Sequence, residues 1–137
     1  MTKSLAAVAF LVPEYDDAIA WFRAALGFDL IEDRPLGADK RWAVVAPPGG
    51  EGARLVLARA VDAPQREAIG AAAGGRVAYF LETDDFARDH AAMSARGVRF
   101  LESPRREVYG TVAVFADPWG GRWDLLQPVK RQATVAP

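Results

Sequence analysis

"FADPWGGRWDLLQP", residues 115–128, holds the pattern on which the reading of the fold turns. An apolar run ends at Ala116, a Pro-Trp-Gly-Gly turn follows, and a second extended run places the carboxylate of Asp124 between Trp123 and Leu125. Proline presets one backbone angle and glycine tolerates the left-handed region, so the segment reads as strand, turn, strand. Side chains alternate along a strand, which puts Trp123 and Leu125 on one face and Asp124 on the other. Four uses for that carboxylate stand open: metal ligand, general base, hydrogen-bond acceptor lining a pocket, or ion-pair partner of Arg122 or another arginine.

Working outward, residues 76–128 read as a strand (76–82), a helix (83–97, "TDDFARDHAAMSARG") and the strands "VRFLES", "GTVAVFADP" and "RWDLLQP". The first half has the same order. "LAAVAFLV" (5–12) precedes the helical stretch "PEYDDAIAWFRAALG", in which Asp16 is the expected N-cap, Ile19, Phe22 and Leu26 recur at helical spacing, and Gly27 supplies the stop. "FDLIE", "RWAVVAP" and "ARLVLARA" follow as strands, and "PPGGEG" is a turn that lacks the ending of a phosphate loop. Gly27 and Gly97 lie 70 residues apart, as do Pro48 and Pro118. The chain is thus one unit written twice, an α+β arrangement of two tandem βαβββ modules within a single domain. Module one covers about 5–60, the connector 61–75 carries one short helical turn, module two covers about 76–128, and 129–137 is a terminal tail.

Composition bounds the function. The 137 residues include 17 basic and 18 acidic side chains, a net charge of -1, which does not favour nucleic acid or anionic membrane as a partner. There is no cysteine, hence no disulfide, thiolate metal site or cysteine nucleophile. The first apolar run is too short to span a bilayer and lacks a signal-peptide pattern. The expectation is a soluble cytoplasmic protein.

The doubled βαβββ pattern, "PEYDDAIAWFRAALGFDL", "GVRFLE" and "DPWGGRWDLLQ" together resemble the vicinal oxygen chelate superfamily, the glyoxalase/bleomycin-resistance/dioxygenase family, over residues 5–128. The resemblance implies sheets curled into a cup, helices outside, and a homodimer. It also implies, for metal-using members, one ligand from the first and one from the last strand of each module. Those positions fall here near Ala7, at Leu55, Val56 or Leu57, near Ala78, and at Asp124. Only the last is a ligand type. The single histidine, His90, lies on the helical stripe Phe86, His90, Met93 and reads as a core-edge residue, and a site built on Asp124 and Glu82 is the weaker alternative. The expectation is therefore no metal and no cofactor.

What remains is a small-molecule site. Trp42, Tyr79, Tyr109 and Trp119 are the aromatic candidates for its wall or rim, Arg105 in the loop "ESPRREVYG" is the candidate to receive a carboxylate or phosphate, and Asp124 is both the candidate acceptor and the candidate catalytic base. Sequence alone leaves three readings: a metal-independent binder of an apolar or aromatic molecule of the bleomycin-resistance type; a glyoxalase-like lyase or isomerase, or a dioxygenase-related enzyme, with Asp124 as base or remaining metal ligand; and a subunit or regulatory module with an empty cup.

Overall fold

The computed structural model describes residues 1–130; residues 131–137 of the expected tail lie outside this range. The chain divides into two compact units, Met1–Ile69 and Gly70 onward, so the boundary falls inside the connector. The strands hydrogen-bond as two separate mixed sheets, one in each unit.

The first unit runs β1 (Ala7–Val12), α1 (Tyr15–Leu26), β2 (Asp29–Pro35), β3 (Arg41–Ala46), β4 (Arg54–Arg59) and α2 (Ala63–Ala68), the last being the short helix of the connector. Its sheet has the order β1-β4-β3-β2, with β1 parallel to β4 and the other pairs antiparallel. Helix α1 buries Ala18, Ile19, Phe22 and Ala25, an apolar stripe at helical spacing. The Phe22 ring meets Phe10 of β1 edge-on at 5.2 Å and Phe28 at 5.4 Å. Gly27 ends the helix in the left-handed region at φ 68°. The N-terminal expectation is corrected: the cap is Glu14, without a side-chain bond, and the helix starts at Tyr15. Asp16 sits inside the first turn, where its charge suits the helix dipole, and its carboxylate pairs with Arg41 at 2.7 Å.

The second unit runs β5 (Val77–Glu82), α3 (Phe86–Ala95), β6 (Arg99–Phe100), β7 (Arg105–Glu107), β8 (Gly110–Ala116) and β9 (Arg122–Pro128). The sheet order is β5-β9-β8-β6, and β7 also pairs with β8. The strand expected at "VRFLES" is reduced to two residues, and the loop after it forms a hairpin with β8. Asp85 caps α3 by accepting from Arg88 N–H at 3.1 Å. A continuous aromatic layer joins this helix to the sheet: Phe86 to His90 at 5.3 Å, His90 to Phe100 at 4.2 Å, Phe100 to Phe115 at 5.6 Å and Phe115 to Trp123 at 5.7 Å. His90 therefore belongs to the packing of α3.

The turn between β8 and β9 is built on Asp117, a buried carboxylate with every bond internal to the segment. Its Oδ1 accepts from Trp119 N–H and Gly121 N–H, both at 2.9 Å, and its Oδ2 accepts from the Trp123 indole N–H at 3.0 Å. Its own N–H donates to Gly121 C=O at 2.9 Å. A β-carbon on Gly121 would collide with the same carboxylate, so glycine is needed there for space. Gly70, at φ 74°, lies against the carbonyl of Trp119, so the end of the connector docks on this turn.

Replacing Asp117 strands two backbone donors and an indole N–H away from water, so Asp117→Ala should lower stability by roughly 3 kcal/mol in urea unfolding. Gly70→Ala should cost about 2 kcal/mol or more in the same measurement, because the added carbon meets backbone and the left-handed angle disfavours it.

Candidate functional site

The register of the second sheet fixes what surrounds Asp124. Its cross-strand partners are Val114 on β8 and Phe80 on β5, and both neighbours share its face. The opposite face is the aromatic layer under α3, where Trp123 is buried. In the first sheet the matching row reads Glu32, Val44, Val56 and Ala9. The position equivalent to Asp124 is thus Val56, while Leu55 pairs with Val8 and Leu57 with Phe10 on the opposite face. In the second unit, a register shift between Val77 and Tyr79 passes over Ala78 and makes Phe80 the residue beside the carboxylate, a correction to the expected position. Ala9, Val56 and Phe80 carry no donor atom. Among the described residues no three His, Asp or Glu side chains gather in a group that could hold a metal ion. The donor set around Asp124 does not fit a divalent metal.

Asp124 itself is 8% exposed, and its Oδ1 has no hydrogen-bond partner. Burial pushes its carboxyl above the usual carboxylate range; the Arg105 guanidinium opposes that rise and the Glu102 carboxylate adds to it. Among the described residues Asp124 forms no ion pair with Arg122. Beside it Phe80 is 64% exposed, a large ring left outside the core. The unpartnered Oδ1 is a buried acceptor whose desolvation costs folding free energy.

Arg105 is placed differently from the expectation. Its Nε donates to both oxygens of Glu102 at 3.1 Å, and its Nη1 donates to Glu107 at 2.9 Å and to the Tyr109 hydroxyl at 3.4 Å. Glu102 in turn accepts from Val114 N–H at 2.9 Å. The guanidinium is thus held by the hairpin's own carboxylates. Tyr109 is half exposed at the hairpin tip, and its carbonyl accepts from Val129 N–H. Asp124, Arg105 and Tyr109 are accordingly brought into one neighbourhood. Tyr79 is not: it packs on Trp123 at 4.6 Å, on the opposite face from Asp124, and burial together with the Asp117 carboxylate raises its phenol above the ordinary value. Trp119 belongs to the Asp117 turn. Trp42 lies in the first unit, paired with Arg34 and on the same face as Val44, where its indole donates to Glu32 at 2.8 Å.

Sequence reasoning missed Phe80, Glu102 and Asp117. Asp117 carried a signal, since Asp-Pro at the start of a glycine turn marks a side chain that bonds its own backbone. Glu102 and Arg105 stand three residues apart, but only the hairpin's path turns that spacing into a bond to Val114. Phe80 had no signal, because parallel registers are not written in either strand alone.

The sign of the Asp124 shift gives a test. A carboxyl whose folded pKa lies above its unfolded value contributes stability that is present below the unfolded value and lost as pH rises through the folded one. At neutral pH the buried charge is therefore a burden. Asp124→Asn should raise the melting temperature at about pH 7 by a few degrees, about 1 kcal/mol, and the gain should shrink as pH falls toward about 4, as followed by thermal scans across pH.

Comparison with known proteins agrees with this architecture. An uncharacterised protein of Shewanella frigidimarina (strain NCIMB 400) is 50% identical over 128 residues, covering 93% of this chain and 95% of its own. The crystal structure of TnmS3, an antibiotic binding protein from Streptomyces sp. CB03234, is 32% identical, superimposes with a TM-score of 0.69, and is covered to 97% by 93% of this chain. A glyoxalase/bleomycin resistance protein from the same organism is also 32% identical, with a TM-score of 0.63 and coverage of 89% and 100% of the two chains. Residues 4–125 match the Glyoxalase/Bleomycin resistance protein/Dioxygenase superfamily, and the chain belongs to that family.

Proposed function

We propose that this protein is a metal-independent binder of a small apolar or aromatic molecule, held against the face of the second sheet that carries Asp124 and Phe80. The observation that carries the reading is the buried Oδ1 of Asp124, without a partner, one strand away from a ring that is 64% exposed. The buried acceptor costs stability that a hydrogen-bond donor from a ligand would return, and the exposed ring offers that ligand an apolar surface. The similarity to TnmS3, an antibiotic binding protein, supports the same reading from outside the chain. The donor-poor setting of Asp124 supports binding by shape, stacking and hydrogen bonding instead of coordination.

A second reading rests on the same carboxylate. A buried acid with a raised pKa is also suited to take a proton, which would make the chain a lyase or isomerase with Asp124 as base. Asp124→Asn separates the two: retained affinity with lost turnover of a bound compound supports catalysis. A homodimer is part of the proposal, since β1 is an apolar edge strand of its sheet and open edges are normally paired or covered; light scattering that finds a monomer would remove that element. No helix among the described residues is long and apolar enough to cross a membrane.

The binding test uses a panel of planar aromatic antibiotics and the quenching of tryptophan fluorescence. Phe80→Ala should weaken the binding of any retained compound at least tenfold while leaving the melting temperature nearly unchanged, because an exposed ring contributes little to the core. Elemental analysis that finds one tightly held divalent metal per chain would overturn the metal-independent reading.

A further inference from the structure

Resting on the binding reading above, we infer that the ligand of this face presents a hydrogen-bond donor, a hydroxyl or an N–H on an aromatic frame, to Asp124 Oδ1, and that the site rejects anionic ligands. Arg105, the cation of this neighbourhood, directs Nε to both oxygens of Glu102 and Nη1 to Glu107 and Tyr109. Glu102 is engaged on both sides, by that guanidinium and by Val114 N–H. Glu102 ties the hairpin to β8, and Arg105 binds the hairpin's own side chains. Asp124 Oδ1 is the buried side-chain atom left over.

Charge points the same way as hydrogen bonding. Glu102 and Glu107 bond the Arg105 guanidinium, whereas the Oδ1 of the buried Asp124 carboxylate receives no hydrogen bond. A ligand carboxylate or phosphate placed against Asp124 would meet like charge, with the guanidinium's Nε and Nη1 already engaged. A donor meets the opposite situation. It satisfies the buried Asp124 Oδ1 and gains a charge-assisted bond. Val114 and Phe80, the cross-strand neighbours, can offer the rest of the ligand apolar contact and no competing acceptor. Polarity at one atom and apolar surface around it together describe a phenol-like or amide-like aromatic, not an aromatic acid.

Three compounds of one shape isolate the donor: 2-naphthol, 2-methoxynaphthalene, in which it is masked, and 2-naphthoate, in which an anion replaces it. Isothermal titration of the full chain at neutral pH should find 2-naphthol bound at least tenfold more tightly than either of the others, as expected for a hydrogen bond to a charged group. The preference over 2-methoxynaphthalene should fall below threefold in Asp124→Leu, which keeps the apolar contacts. Should that variant fail to fold, Asp124→Asn serves, since its amide N–H can meet the carboxylate of 2-naphthoate and should narrow or invert the order of those two ligands. Equal binding of 2-naphthol and 2-methoxynaphthalene by the natural chain, tightest binding of 2-naphthoate, or an order unchanged in the variants would overturn the inference while leaving the binding reading intact. No binding of any of the three would overturn both.

Discussion

The Asp117 carboxylate is the constraint on which the second unit depends. It gathers two backbone N–H groups of the turn and the indole N–H of Trp123, so it closes the turn and also determines which way the first aromatic residue of β9 points. Trp123 is thereby held in the layer of rings beneath α3. Because side chains alternate, the residue that follows must take the other face. A slip of one position would exchange the two, burying a carboxylate among rings and exposing an indole. The placement of Asp124 away from the helix is therefore a consequence of a bond made seven residues earlier in the chain.

The two units express one plan with different contents. In each sheet a first strand lies parallel to a last strand and a helix covers one face. The row on the face away from the helix holds Val56 in the first unit and Asp124 in the second. Valine in that row is compatible with simple packing, whereas a carboxylate with an oxygen lacking any partner is not. Duplicated scaffolds can carry chemistry in one copy and stability in the other, and this row is one place where the two copies differ. Arg105 adds a second asymmetry. It ties its hairpin together with Glu102 and Glu107. In the matching β2–β3 hairpin of the first unit, the corresponding tie is made instead by Arg41 and Asp33 at 2.6 Å.

Much of the fold was legible because it is local. The helical spacing of Ile19 and Phe22, the stop at Gly27 and the repeated strand order depend on residues within a few positions of each other, and the structure follows them. The misplaced start of α1 shows the limit. Asp16 has the right chemistry for an N-cap, yet Arg41, from a distant strand, takes its carboxylate and leaves Glu14 at the cap position without a side-chain bond. The site was less legible for the same reason. The expectation that Tyr79 would line a pocket fails against the register shift in β5, which turns the ring toward Trp123 and brings Phe80 beside Asp124. Arg105 looked available in sequence, and only the hairpin supplies the carboxylates that engage it.

By itself the sequence determined the family, the doubled order of helices and strands, and the opposite facing of Trp123 and Asp124, since period, turn chemistry and alternation are properties of short stretches. Tertiary structure decided which residue stands beside Asp124, which cation is already engaged and which carboxylate oxygen has no partner. Those are outcomes of register between strands and of competition among distant charges, and neither is encoded within any one segment.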